Sequence, residues 1–238
     1  MIQRLRSSVR SWSEALLNLI FPNVCTVCHR TLVKGEEVMC LKCMIDLPCT
    51  NLHRLQPNVI HERLFSIGHP VERATSYFYY FRENPYSRLI HDTKYNGRPM
   101  VGYKLAATHA AELLQSGFFD DIDAIVPVPL HYFKRLSRGY NQAEEIALGL
   151  SSITEIPIID ALSASFHTTQ TRKTAHERLI NARNVYKVKD SSIDNLHILL
   201  VDDVITTGAT ILSCIESIKK VCPSTRVSIY SLAITQLI

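Results

Sequence analysis

Residues 198–210, ILLVDDVITTGAT, constrain the fold of this chain more than any other stretch. Their four leading apolar residues predict a buried strand, and continuous apolar strands are typical of parallel sheets covered by helices on both faces. Two adjacent carboxylates, Asp202 and Asp203, follow the apolar run, and a small, hydroxyl-rich turn then leads into a helical pattern. The stretch therefore predicts an α/β fold with polar groups at the carboxyl end of a strand.

The turn after this strand has the composition of a phosphate-binding loop. Backbone N–H groups and threonine hydroxyls can surround a phosphate, glycine lets the backbone approach it closely, and the following helix dipole adds attraction. The two carboxylates are then placed to accept hydrogen bonds from sugar hydroxyl groups. A strand that merely ends in a helix-capping Asp is the alternative, but it explains neither the second Asp nor the three threonines. The residues predicted to bind a phosphorylated sugar are Asp202, Asp203, Thr206, Thr207, Gly208, Ala209 and Thr210.

A second polar constellation follows another predicted strand, in the sequence VPVPLHYFKRLSRGYNQ of residues 126–142. Basic side chains here can offset the charge of a diphosphate, and arginine offers a planar fork for bidentate contact. We expect a pyrophosphate-binding loop with His131, Arg135 and Arg138 as its candidate ligands, with Lys134 beside them. A solvated basic turn without a ligand is the alternative.

Four of the seven cysteines form two Cys-x-x-Cys pairs near the N-terminus, Cys25 with Cys28 and Cys40 with Cys43. Two such pairs at this separation are typical of a closed, tetrahedral zinc site. The site is predicted to be structural, since four protein ligands leave no open position for catalysis. Two disulfides are the alternative, but the sequence shows no secretory signal.

Length and charge set the remaining limits. The chain has 238 residues, 26 Lys and Arg against 22 Asp and Glu, and a net charge of +4, which permits nucleic-acid binding without requiring it. We expect an amphipathic helix plus a zinc-ribbon-like module over 1–48, a linker or hood over 49–73, and the main domain over 74–238. The apolar face of the first helix, which includes Trp12 and Leu16, suits core packing or attachment to a membrane surface. No apolar run reaches the length of a transmembrane helix.

Strand and helix patterns alternate through the main domain. Strands are predicted at 74–81, 122–128, 156–162, 185–188 and 226–234, in addition to the strand at 198–201. Helical patterns cover 86–114, with a break at 96–99, and 139–150. This alternation predicts a parallel sheet with helices on both faces and a ligand at the carboxyl ends of its strands.

The pattern of apolar strand, acid pair and Thr-Thr-Gly turn resembles the 5-phosphoribosyl-1-pyrophosphate (PRPP) signature of type I phosphoribosyltransferases. The segment VPVPLHYFKRLSRGYNQAEEIA resembles the hallmark of the ComF family of competence-associated proteins. The four-cysteine module, residues 91–97 (HDTKYNG) and the polar residues at 169–171, 177, 178 and 181 fit the same family. Ala175 departs from it, since members often carry arginine there.

The resemblance implies a parallel-sheet type I phosphoribosyltransferase fold with an N-terminal zinc module and a site for PRPP with Mg²⁺. It also implies a cytoplasmic protein that handles single-stranded DNA beside the uptake machinery of the inner membrane, with peripheral membrane association as an option.

Three functions are compatible with these features. The chain is a phosphoribosyltransferase (a glycosyltransferase) with an unknown acceptor, a single-strand DNA-binding module that uses the basic stretch 172–189, or a regulator that senses PRPP without consuming it. The sequence assigns no catalytic residue.

Overall fold

The structure, a computed structural model, describes residues 23–65, 70–95, 97–164 and 185–236. The chain divides into two compact units, residues 1–47 and 48–238. The predicted N-terminal amphipathic helix lies outside the described residues. So do most of the basic stretch 172–189 and the family-like positions 169–171, 175, 177, 178 and 181.

The smaller unit is built from turns and one short helix. An antiparallel bridge joins Val24 to Thr31, and helix α1 spans Leu41–Ile45. Besides cysteines, the buried apolar residues of its described part are Val27, Met39 and Leu47. The described part of this small core stabilises little on its own.

The described residues of the larger unit form helices and strands and two short 3₁₀ helices, Leu52–Arg54 and Ser191–Ile193. The other elements are α2 (Val59–Leu64), β1 (Ala74–Tyr80), α3 (Ser87–Tyr95), α4 (Pro99–Gln115), β2 (Ala124–Pro127), α5 (Tyr132–Arg138), α6 (Gln142–Thr154), β3 (Leu162–Ala164), β4 (Tyr186–Val188), β5 (His197–Ile205), α7 (Ala209–Val221) and β6 (Arg226–Thr235).

The main sheet has the order β1-β6-β5-β2, and all of its neighbouring strands are parallel. Strand β5 is central and its residues 198–201 are fully buried, as the apolar run predicts. In its register with β6, Leu200 lies opposite Ile229 and Asp202 opposite Ser231. The carboxyl ends of β5, β6 and β2 therefore share one edge of the sheet.

Helices cover both faces of this sheet. On one face, Ile198 and Leu200 of β5 pack with Ile211 and Ile215 of α7. On the other face, His109 of α4 lies against the hydroxyl of Tyr230 in β6, with Nδ1 and Oη 3.3 Å apart. Helices α4 and α6 touch closely at Gly149, where a Cβ atom would lie 2.2 Å from the Tyr103 carbonyl oxygen. This arrangement confirms the predicted α/β fold with a parallel sheet covered on both faces.

The predicted strand at 156–162 is wrong in its extent. Only a single parallel bridge joins Ile158 to Ile125 of β2. Two backbone hydrogen bonds, Ile125 N–H to the Pro157 carbonyl and Ile159 N–H to the Ile125 carbonyl, make this bridge. Proline at 157 has no N–H to continue the ladder. The strand that follows, β3, begins at Leu162 and pairs antiparallel with β4 in a separate two-stranded sheet.

Two helices form in segments for which the sequence pattern predicts none. Residues 132–138, read as part of a loop, form helix α5, which ends at Gly139 with φ of 81°. Within 49–73, helix α2 begins at Asn58, whose Oδ1 accepts a hydrogen bond from the Ile60 N–H at 3.0 Å. Its Ile60 and Leu64 are buried in the core beside α7.

Candidate functional site

A cleft of about 500 Å³ opens at the carboxyl ends of β5 and β2. Polar and charged side chains dominate its wall, and they come from β1, α3, the segment 128–143, β4, β5 and the start of α7. Its charged and hydroxyl-bearing lining residues include Tyr80, Arg82, His91, Lys94, His131, Lys134, Arg138, Tyr186, Asp202, Asp203, Thr206 and Thr210.

The acid pair lies in the second half of β5 and lines this cleft. The Asp203 N–H donates to Asp202 Oδ1 at 2.8 Å, and Lys94 Nζ lies 3.1 Å from Asp203 Oδ2. Burial, reinforced by the neighbouring Asp203 charge, raises the pKa of Asp202 to about 7, although the Asp203 N–H and the lysines at 94 and 134 oppose the shift. A ligand that donates hydrogen bonds to Asp202 would therefore stabilise its ionised form.

The predicted phosphate turn connects β5 to α7. Thr206 and Thr210 line the cleft, while Thr207 accepts a hydrogen bond at Oγ1 from the Ala209 N–H at 3.4 Å. Gly208 precedes the first residue of α7 with φ of 83°, a conformation that side chains rarely adopt. The turn thus places the N-terminus of a 13-residue helix at the cleft.

Helix α2 supports the turn from outside the cleft. A Cβ atom at Gly208 would lie 2.9 Å from Leu64 Cδ2. Arg63 donates from Nη1 to the Thr206 carbonyl oxygen at 2.8 Å. Sequence reasoning missed both residues, because the stretch 49–73 carries no periodic or motif signal that connects it to the turn.

The basic candidates divide into two groups. His131 and Arg138 line the cleft together with Lys134, and Arg138 Nη1 donates to Gln142 Oε1 at 2.8 Å. Arg135 is not among the described lining residues, since its Nη1 lies 3.4 Å from Glu144 Oε1. Lys134 and Arg138 are four apart on α5 and share the face that lines the cleft, whereas the Arg135 side chain lies toward Glu144.

Five further charged or hydroxyl-bearing lining residues were absent from the predicted site: Tyr80, Arg82, His91, Lys94 and Tyr186. The position of Tyr80 and Arg82 at the end of β1 is a signal that the strand-end rule could have used. Tyr186 comes from β4, where burial and the charge of Asp202 raise the pKa of its hydroxyl. Its place in the cleft depends on the antiparallel sheet, which the sequence pattern did not predict.

The cysteine pairs converge in the smaller unit. The four sulfur atoms of Cys25, Cys28, Cys40 and Cys43 all lie within 4.8 Å of one another, and no disulfide joins them. The Cys28 and Cys40 sulfurs are 3.7 Å apart, close to the ~3.8 Å that tetrahedral thiolates keep around a metal with bonds of about 2.3 Å. The Cys40 N–H also donates to Cys25 Sγ at 3.4 Å. The cluster can hold a metal ion, and its donor set is the one that structural zinc sites use.

Within the described ranges, no helix is both long and apolar enough to cross a membrane.

Comparison with known families places the cleft in context. The model of the family described as "Phosphoribosyl transferase domain" matches residues 101–234, which include β2, α5, β5 and the phosphate turn. This match covers more than half of the chain, so the protein belongs to that family. The parallel sheet with its acid pair and turn is thus a type I phosphoribosyltransferase fold.

Two curated relatives narrow the class. Competence protein F of Haemophilus influenzae is 28% identical over 187 residues, which cover 72% of each chain. DNA utilization protein YhgH of Escherichia coli K12 is 27% identical over 198 residues, 79% of this chain and 80% of the relative. The chain is a ComF-family, phosphoribosyltransferase-like protein, which confirms the resemblance seen in its motifs.

Among solved structures, glutamine PRPP amidotransferase from Bacillus subtilis, complexed with ADP and GMP, aligns with a TM-score of 0.40 and 17% identity. The alignment covers 59% of this chain and 30% of that one.

Proposed function

We propose that the cleft binds PRPP together with Mg²⁺, and that the protein takes part in DNA uptake during natural transformation by handling single-stranded DNA in the cytoplasm. One observation carries the PRPP assignment. The acid pair, Thr206 and Thr210 at the two ends of the turn, and three basic side chains of residues 131–138 all line the same cleft.

Each part of the cleft matches one part of PRPP. The turn and the α7 N-terminus provide N–H groups and hydroxyls for the 5′-phosphate. Asp202 and Asp203 accept hydrogen bonds from the ribose hydroxyls, and charge-assisted bonds of this kind contribute about 1.5–3 kcal/mol each. His131, Lys134 and Arg138 face the diphosphate, whose bound Mg²⁺ enters as part of the substrate.

The surface of α5 supports the DNA assignment. Phe133 and Leu136 are 62% and 65% exposed, and Lys134 and Arg135 are exposed between them. An aromatic ring beside cations suits a single strand, because bases stack on the ring while phosphates pair with the charges. The names of the two relatives, competence protein F and DNA utilization protein, agree with this role. We place the protein in the cytoplasm, with uptake machinery at the inner membrane as its partner.

The cysteine cluster is proposed to hold one structural Zn²⁺ through Cys25, Cys28, Cys40 and Cys43. It would fold the smaller unit and supply no open coordination position for chemistry.

Titration calorimetry with Mg-PRPP tests the ligand. The double variant Asp202→Asn, Asp203→Asn is expected to lose about 100-fold or more in affinity, because it removes two anionic acceptors. Asp160→Asn, an exposed carboxyl outside the cleft, is the matched control and should bind as the wild type does. Equal affinity of the double variant and the wild type would refute the PRPP site.

Fluorescence anisotropy with a labelled oligonucleotide tests the DNA assignment. Single-strand affinity is expected to fall steeply between about 50 and 200 mM salt, since phosphate contacts release counterions. Phe133→Ala should weaken binding at every salt concentration, whereas Arg135→Ala should also reduce the salt slope. A flat salt dependence contradicts this account.

A second function, phosphoribosyl transfer, is favoured by the cations gathered where diphosphate would leave. In that reaction the bond from ribose C1 to the diphosphate oxygen breaks, pyrophosphate departs with the electron pair, and an acceptor nucleophile bonds to C1. Lys134 and Arg138 would stabilise the departing charge. Pyrophosphate release measured with bases, amines and single-stranded DNA as acceptors distinguishes transfer from binding alone, because a sensor would release none.

A further inference from the structure

Lys94 forms an ion pair with Asp203, one of the two carboxylates that are proposed to bind the ribose hydroxyls. Its Nζ lies 3.1 Å from Asp203 Oδ2, and the two side chains are only 22% and 14% exposed. Because both side chains are mostly buried, salt and water screen their attraction less than they screen a surface ion pair. Breaking the ion pair leaves each charge without a partner of opposite sign. A carboxylate can accept from a lysine and a hydroxyl at once, but a ligand that displaces Lys94 from Asp203 must supply a new anion for the ammonium.

The position of Lys94 in the fold points to the source of that anion. The residue before it, Thr93, accepts at its backbone oxygen a hydrogen bond from the Tyr140 hydroxyl at 2.8 Å. This contact ties the end of α3 to the segment that follows α5, and Lys94 lines one cleft with Lys134 and Arg138. The ammonium therefore contacts the acid pair and lines the same cleft as the cations suited to a diphosphate.

We propose that Lys94 exchanges partners on ligand binding, from the Asp203 carboxylate in the free protein to the diphosphate of PRPP. Lysine suits this exchange, because its flexible four-carbon stem carries a point charge with three rotatable donors. The exchange makes Lys94 a specificity-determining residue. PRPP satisfies both halves of the broken pair, whereas ribose 5-phosphate offers hydroxyls to Asp203 but leaves the ammonium without an anion.

This inference rests on the proposed PRPP site. It adds the prediction that loss of the lysine weakens the binding of PRPP but not that of ribose 5-phosphate. In Lys94→Met, PRPP loses a charge-assisted contact, so its affinity should fall about tenfold or more. Ribose 5-phosphate should bind as tightly as to the wild type or more tightly, since the competitor for Asp203 is gone. The affinity ratio of the two ligands should therefore fall at least about tenfold.

The experiment is titration calorimetry of the full chain with Mg-PRPP and with ribose 5-phosphate, on the wild type, Lys94→Met and Lys94→Arg. Lys220→Met, which removes an exposed lysine on α7, is the control and should keep the wild-type ratio. Lys94→Arg keeps the cation and should retain an intermediate preference for PRPP. It also provides the test if the methionine variant fails to fold.

The outcomes separate the two proposals. Equal losses for both ligands in the Lys94 variants would mean that the lysine only supports the acid pair, and would overturn the exchange. An unchanged ratio would overturn it as well, with PRPP binding intact. A wild-type protein that binds neither ligand would overturn the PRPP site, and the exchange with it.

Discussion

Arg63 holds the backbone of the phosphate turn through a hydrogen bond from its Nη1 to the Thr206 carbonyl oxygen, at 2.8 Å. Its Nη2 donates to the carbonyl of Thr235, the last residue of β6. One guanidinium thus joins the ends of two neighbouring parallel strands at the point where the 5′-phosphate is proposed to bind. Burial lowers the pKa of Arg63, yet the group stays charged because an arginine pKa lies far above neutral.

Arg63→Met is expected to weaken Mg-PRPP binding about tenfold, because the turn loses the donors that fix its backbone. Arg63→Lys should recover part of this loss, since an ammonium can reach one of the two carbonyls but lacks the planar fork. Calorimetry measures the affinity, and Arg54→Met, an exposed arginine in the Leu52–Arg54 turn, is the control. An affinity unchanged by both Arg63 substitutions would show that the turn keeps its shape without this contact.

Two arginines of α5 provide a matched test of whether the cations that line the cleft bind the diphosphate. Arg138 lines the cleft, whereas Arg135 pairs with Glu144 away from the lining. Arg138→Ala should therefore cost about tenfold in PRPP affinity, and several times more than Arg135→Ala. The same two proteins serve in calorimetry with inorganic pyrophosphate, where the order should be preserved. A larger loss of PRPP affinity in Arg135→Ala than in Arg138→Ala would mean that α5 rotates when the ligand binds and brings Arg135 into the cleft.

The sequence predicted most of what depends on local pattern. The apolar run 198–201, the acid pair and the glycine turn follow one another along the chain, so their order in space follows from the order in sequence. The contributions of Arg63, Lys94 and Tyr186 depend instead on long-range packing that brings α2, α3 and β4 to the end of β5. Periodicity has no information on such contacts. Pro157 is the opposite case, a feature that the sequence did show. Its missing N–H should have limited the strand predicted at 156–162.

Asp202 is expected to make the free protein less stable at high pH. Its pKa in the folded protein, about 7, lies above the ordinary value of about 3.9 for the unfolded chain, so ionisation of the folded form costs stability. The cost grows as pH rises from about 4 to about 7 and is fully present at pH 8. Asn at this position keeps the acceptor for the Asp203 N–H and removes the charge.

Asp202→Asn should therefore raise the free energy of unfolding at pH 8 by about 1–2 kcal/mol, after allowance for solvent screening, and by much less at pH 5. For a domain of this size, that gain corresponds to a rise of a few degrees in melting temperature, about 2–4 °C per kcal/mol. Thermal melts at both pH values check the difference, with Glu83→Gln, an exposed carboxyl, as the control. Equal shifts at pH 5 and pH 8 would assign the effect to packing and not to charge.

The metal should decide whether the smaller unit folds. Its described part buries few apolar side chains, whereas binding of zinc contributes about 10–16 kcal/mol in small zinc-dependent domains. Elemental analysis is expected to find one zinc per chain, and the double variant Cys25→Ser, Cys28→Ser should contain none. Hydrogen exchange over 23–47 should then become fast, while β5 and β6 keep their protection because the larger unit has its own core. Cys49→Ser lies outside the cluster and should retain both the metal and the protection. Slow exchange over 23–47 in a metal-free protein would show that this unit is stabilised by its own packing.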